Sequence, residues 1–139
     1  MAKSLETQRT YALVGTGGCG KTSLAEMLMF QAGAVSRLGK IEEGTTCLDY
    51  EPEETKRRGS IQPGFAHFNW KKNTHFLVDV PGDNNFVGDL SYLLLGADSA
   101  VLTIDAVDGV RPLTRKLWEA IKAQGLPAVA FVNKMDRDR

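Results

Sequence analysis

The sequence predicts an α/β fold built on a mostly parallel sheet flanked by helices. Short apolar runs of strand length alternate with stretches of helical periodicity, the order that builds such a sheet. The runs lack the in-and-out alternation of a half-exposed strand and read as strands covered on both faces. Apolar residues make up 42% and charged residues 24% of 139 residues, the balance of one globular domain of ordinary size.

Each element has a local reason. Residues 11–14 are an apolar run stopped by glycines, which suits a buried strand. Residues 22–30 carry Leu24, Met27, Leu28 and Phe30 at helical spacing. Residues 74–80 form a strand ended by Pro81 and Gly82, and residues 99–106 another, followed by Asp108-Gly109. Residues 112–124 set Leu113, Leu117, Trp118 and Ile121 on one helical stripe, with Gly125 as the stop signal. Residues 127–132 are a further near-continuous apolar strand. One stretch breaks the rhythm: residues 33–64 are mostly polar and hold no sustained period. A loop of that length is functional or mobile. Within it Glu42, Glu43, Asp49, Glu51, Glu53 and Glu54 precede Lys56, Arg57 and Arg58.

Charge and cysteine usage exclude several classes. Lys plus Arg and Asp plus Glu both count 17, so the chain is not built to coat nucleic acid or an anionic membrane. No apolar run approaches a membrane span, and the polar start lacks a signal peptide's apolar stretch. Cys19 and Cys47 are too few for a disulfide framework and read as reduced thiols of a cytoplasmic protein. His67 and His75 have no metal-like partner at useful spacing; His75 is expected to face solvent. Cys19, at a helix start, is in a position where thiol pKa values fall.

Three motifs carry chemistry. Gly15-Thr16-Gly17-Gly18-Cys19-Gly20-Lys21-Thr22 matches G-x-x-x-x-G-K-[ST], with a strand before it and a helix after it. Phosphate oxygens must be wrapped by backbone N–H groups at close range, so glycines line the turn, and the helix, opened by Thr22 and Ser23, aims its N-terminus at the anion. Lys21 supplies a point charge and the Thr22 hydroxyl a ligand for Mg²⁺. Asp79-Val80-Pro81-Gly82 closes the second strong strand. Its carboxylate lies where α/β sheets bind ligands and serves Mg²⁺, while Gly82 lets a backbone N–H approach an outer phosphate. Asn133-Lys134-Met135-Asp136 follows the last strand. A carboxylate at Asp136 accepts two hydrogen bonds from the N1–H and N2–H₂ of guanine, a donor pair that adenine lacks. The Lys134 stem suits the purine face, and the Asn133 amide can brace the phosphate loop.

Together the motifs resemble those of a translational GTPase, most of all elongation factor G and its paralogues, over residues 11–137. Residues 130–137 (AFVNKMDR), Arg58-Gly59 after an acidic loop and the run DAVDGV at 105–110 are similar to that family's own wording. The resemblance implies a P-loop NTPase fold of the GTPase type with sheet order 2-3-1-4-5. It implies GTP/GDP and Mg²⁺ as ligands, and the ribosome, through its RNA and proteins, as partner, with no DNA and no membrane. Residues 33–64 would be the switch that closes over Mg²⁺. Residues 1–139 would be a partial G domain lacking its last strand and helix and all downstream domains. That leaves residues 127–132 as an edge open to self-association.

Two departures bear on the chemistry. The family reads R-G-I-T or R-G-I-S where this chain has Arg58-Gly59-Ser60-Ile61, so Ser60 is the candidate metal ligand, with Thr45 or Thr46 as alternatives. The family carries a histidine after D-x-P-G; this chain has Asp83, then Asn84 and Asn85. Lys21, Gly82 and Asp83 are thus the candidate catalytic group. An ionised Asp83 near the γ-phosphate slows hydrolysis; pointed outwards it is neutral; Asn84 or Asn85 can orient water instead. The leading reading is a GTPase. A GTP-dependent binding module without hydrolysis is its rival, and an ATPase or kinase is disfavoured by residues 133–136.

Overall fold

The strand at the centre of the sheet, β1 (Gln8–Gly15), is the one whose last four residues are all buried. It is flanked in parallel by β3 (Asn73–Asp79) and β4 (Ser99–Asp105), with β5 (Ala128–Asn133) parallel beyond β4. β2 (Gly64–Trp70) runs antiparallel to β3, giving the order β2-β3-β1-β4-β5 that the resemblance implied. The computed structural model describes residues 5–49, 51–57, 59–83, 88 and 90–137. Arg58, Asn84 and Asn85 lie outside them.

Helices cover both faces. The strand pleat sends Leu13 and Leu77 to one side, where Ala25 and Met29 of α1 (Lys21–Gln31) meet them with Leu48 and Phe68. Ala12, Val14, Val78, Ala100 and Leu102 point to the other. There they meet Leu90 and Leu94 of α3 (Leu90–Leu95) and Leu117 and Ile121 of α4 (Pro112–Ala123). Burying a side chain such as Leu117 or Ile121 contributes about 1.5–3 kcal/mol. Among the described residues no helix is long and apolar enough to cross a membrane.

Several expectations are corrected. In α1 the inward stripe is Thr22, Ala25, Glu26 and Met29; Met27 and Phe30 are exposed. The apolar count misplaced the stripe because this face carries site chemistry as well as core. β5 is not covered on both faces: Val129 is 66% exposed, and Phe131 and Val132 are exposed too. It stands at the sheet edge, with β4 alone beside it among the described residues. Residues 33–64 hold a short helix, α2 (Pro52–Arg57). Local signals place the residues of neither β2 nor α3, the first because exposed Phe65 breaks its alternation, the second because one and a half turns give too little period. His75 does not face solvent. Its ring stacks on Phe68 at 5.2 Å and meets Tyr11 edge-on at 6.0 Å, and its Nε2 is buried. His67 is exposed and stacks on Phe76.

Candidate functional site

The segments that follow β1 and β3 and the end of β5 meet around one cavity of about 550 Å³. From β1 the chain enters the glycine turn and then α1. Gly18 and Gly20 hold φ of 76° and 98°, a region that glycine enters without strain. A Cβ at Gly20 would also overlap Asn133 Nδ2. Lys21 is buried and donates from Nζ to the Thr16 carbonyl at 3.1 Å, while the Gly17 N–H donates to the Gly82 carbonyl at 2.8 Å. A Cβ at Gly82 would fall 2.5 Å from Lys21 Nζ and 2.6 Å from Gly17 N. Only glycine permits the two turns to touch.

Beside Lys21 lies a chain of oxygens. Thr22 donates its hydroxyl to Asp79 Oδ2 at 2.5 Å, Ser60 donates to Asp49 Oδ1 at 2.6 Å, and the two hydroxyl oxygens stand 3.2 Å apart. Each hydroxyl has one proton and both are committed to carboxylates, so two sets of lone pairs face one another. Asp79 Oδ1 is buried with no hydrogen-bond partner among the described residues. Burial pushes the Asp79 carboxyl up to about 6 against the pull of Lys21 and Thr22, and burial also raises Asp49. Converging lone pairs and an orphaned carboxylate oxygen suit a small hard cation. Among the described residues no three Asp, Glu, His or Cys side chains form a cation cage. Thr45 is turned to the Lys40 amide instead, and Thr46 bonds Asp49.

Two buried glutamates that sequence reasoning missed hold the loop that carries Ser60. Glu54 accepts the Ile61 and Gln62 amides at 2.8 and 2.9 Å through Oε1 and the Glu51 amide at 3.2 Å through Oε2. Glu26 accepts the Cys47 amide at 2.7 Å and its thiol at 3.1 Å. The signal for Glu26 is its spacing: it lies four residues after Thr22, hence on the same helix face.

On the far side, Asn133 Nδ2 donates to the Cys19 carbonyl at 2.9 Å. Lys134, at φ 59°, donates from Nζ to the Gly18 carbonyl and to Asp105 Oδ2, both at 2.6 Å. Asp105 was not among the expected residues, yet it ends β4 as Asp79 ends β3, and that repetition was its signal. The hydrogen bond from Lys134 holds the Asp105 carboxyl below the ordinary carboxylate range. Asp136 is exposed and lies outside the cavity wall, which Arg137 joins. Ser23 and Asp83 line the cavity, Asp83 beside Gly82. Thr16 and Cys19 are buried within the turn. The expected fall in the Cys19 thiol pKa is reversed: burial raises it, outweighing Lys21.

The sequence over residues 6–139 matches the family described as the elongation factor Tu GTP binding domain. The chain is 38% identical over 130 residues to the mitochondrial ribosome-releasing factor 2 of Debaryomyces hansenii, covering 94% of this chain and 15% of that protein. It is 37% identical over 119 residues to the tetracycline resistance protein TetM from transposon Tn916 of Enterococcus faecalis, covering 86% of this chain and 19% of that one. A crystal structure of a Thermus thermophilus protein superposes with a TM-score of 0.90 at 40% identity, over 94% of this chain and 20% of that chain. The bacterial selenocysteine-specific elongation factor EF-Sec gives 0.75 at 26% identity, with the same coverage. The chain therefore spans less than a fifth of the length of these curated relatives.

Proposed function

The chain belongs to the elongation factor Tu GTP-binding domain family, and from that premise we propose that it binds GTP and GDP with Mg²⁺ and hydrolyses GTP as the switch of a ribosome-associated translation factor. The observation that carries the reading is the meeting of three sequence-distant motifs, at residues 15–22, 79–82 and 133–134, around one cavity. The amides of Gly15, Thr16, Gly17, Gly18, Cys19 and Gly20, with the helix start at Lys21, Thr22 and Ser23, cradle the phosphates. Lys21 neutralises the outer phosphates. Thr22, Asp79 and Ser60 would hold Mg²⁺, the Thr22 and Ser60 hydroxyls donating hydrogen bonds to Asp79 and Asp49. A Mg²⁺ held by these residues would supply neutralisation of the charge that develops on the transferring phosphate. Asn133 steadies the phosphate turn, Lys134 covers the purine face, and Asp136 swings in to pair with guanine.

Water would attack the γ-phosphate in line, and the presence of Gly82 and Asp83 in the cavity wall supports a role for them there. The partner is the ribosome, reached through the whole protein, and the compartment is the cytoplasm. The similarity to ribosome-releasing factor 2 supports the ribosomal part of this setting, since its name ties that protein to the ribosome. The test is calorimetric titration of GDP with Mg²⁺, using ATP and Asp136→Asn as controls. Tight GDP binding that is at least a hundredfold weaker in the variant and absent for ATP is the expected result. Equal affinity for ATP sinks the guanine assignment.

A second reading, GTP-dependent binding with little hydrolysis, is favoured by one observation: Asp83 stands in the cavity wall next to Gly82. Unit charges ~5 Å apart at an effective dielectric of ~20 repel by about 3 kcal/mol. Sustained ribosome-stimulated phosphate release by the full-length protein excludes it.

A further inference from the structure

The end of the sheet opposite the nucleotide cavity concentrates chemistry that the guanine site leaves unused. The cavity lies at the carboxyl end of β1. That strand has eight residues, so its amino end, paired through Gln8 and Arg9 with Thr74 and His75, stands about 25 Å away. The β2–β3 hairpin turns at this end. Trp70 and Asn73 are its last paired residues, Lys71 and Lys72 form the two-residue tip, and both hold positive φ, 46° and 68°. A tip of that geometry favours Asn-Gly or Gly-Gly, because a Cβ is strained there. Lysine at both positions adds nothing to the turn and sets two like charges side by side.

Among the described residues neither lysine pairs with a carboxylate. Lys71 Nζ lies over the Trp70 ring, 5.9 Å from its centroid, and the indole is 44% exposed. Arg9, exposed on the neighbouring end of β1, gives Nη1 to the Glu6 and Gln8 carbonyls rather than to a carboxylate. Three cations and an open indole thus form a basic and aromatic patch on a chain of net charge zero.

We propose that this patch is an RNA-contact surface, in which Lys71, Lys72 and Arg9 take backbone phosphates of a single-stranded segment and Trp70 stacks on an unpaired base. Three cations that meet no carboxylate among the described residues select a polyanion. The exposed ring selects nucleic acid over an acidic peptide, since every base has a π face. The choice of RNA over DNA rests on the ribosomal setting proposed above; the patch itself is independent of the guanine site.

The test is titration of a labelled, short uridine-rich RNA by fluorescence anisotropy at several salt concentrations, with DNA of the same sequence and polyglutamate alongside. Lys71→Asn/Lys72→Gly supplies the residues the turn prefers, so the double variant keeps or raises Tm while removing both charges. It is expected to bind RNA roughly tenfold more weakly at low salt and to flatten the salt slope by about one to two. In a Trp118→Phe background, RNA is expected to quench Trp70 emission, and GDP affinity, measured in parallel, to stay unchanged in the double variant. Unaltered RNA affinity and slope, absence of quenching, or polyglutamate binding as tightly as RNA overturns the proposal. Equal binding of RNA and DNA overturns the choice of RNA. A chain that fails to bind GDP but passes these tests sinks the guanine reading and leaves this one standing.

Discussion

Lys134 and Asp105 are joined at 2.6 Å, and the same ammonium reaches the Gly18 carbonyl at 2.6 Å, so one side chain ties the end of β4 to the glycine turn. Asp105 also caps its own turn, accepting the Val107 amide at 2.9 Å. Replacing Asp105 by Asn removes the charge that orients Lys134 and is expected to weaken GDP binding about tenfold, a change calorimetry reads directly. The pH dependence has a definite sign. The folded carboxyl lies below its ordinary range, so its stabilisation is present at neutral pH and lost as pH falls through the lowered value. Acid unfolding of Asp105→Asn should accordingly show a shallower fall in Tm than the parent chain.

Asp79 works in the opposite sense. Its carboxyl is raised from 3.8 to about 6 in the folded chain. The native state therefore holds that proton more tightly than the unfolded state does. Its contribution is fully present below the unfolded value and disappears as pH rises through about 6, a swing on the order of 2–3 kcal/mol without metal. Asp79→Asn should raise Tm at pH 7.5 in the presence of chelator and abolish the effect of Mg²⁺ on nucleotide affinity. A lower Tm under those conditions contradicts the burial argument.

Glu54 gathers three amides around Ser60's turn. Truncation to Ala strands buried N–H groups, at about 1–3 kcal/mol for each that water cannot reach. Glu54→Ala is expected to lower urea stability by a few kcal/mol and to open residues 41–63 to proteolysis. Cleavage as slow as in the parent chain would count against the anchor.

Gly20 has two independent reasons to be glycine, its φ of 98° and the Asn133 amide in the path of any Cβ. Gly20→Ala should drive Asn133 from the Cys19 carbonyl and lose GDP binding at least a hundredfold, whereas Gly33→Ala, at φ 72° with open space around it, should lose only stability. Equal effects of the two on GDP affinity would show that backbone strain alone is at work.

Asp83 decides between the two functional readings. Asp83→His removes a negative charge from the phosphate end of the cavity and is expected to raise single-turnover GTP hydrolysis tenfold or more. An unchanged rate means that the carboxylate is turned away from the phosphates.

The central part of this fold was legible because its signals are local. Glycines at 15–20 and the apolar runs of β1, β3 and β4 each declare themselves within a few residues. Asp79 and Asn133 were legible because strand ends are where α/β sheets collect ligands. What was not legible depends on neighbours. β5 reads as a covered strand, yet its exposure is set by what stands beside it. Glu26 and Glu54 look like solvated charges, and only the returning loop gives them amides to accept. His75 looks polar at the start of a strand, but Phe68 and Tyr11 cover it from adjacent strands.

The contact between Gly17 and Gly82 makes the protein its own competitor. A phosphate oxygen that seeks the Gly17 N–H must first evict the Gly82 carbonyl, so arrival of the ligand is an exchange of acceptors rather than the filling of a hole. Part of the free energy of such an association would go into breaking that hydrogen bond. On the nucleotide-binding reading, occupancy of the phosphate turn would release the Gly82 carbonyl before any bond in the ligand is broken.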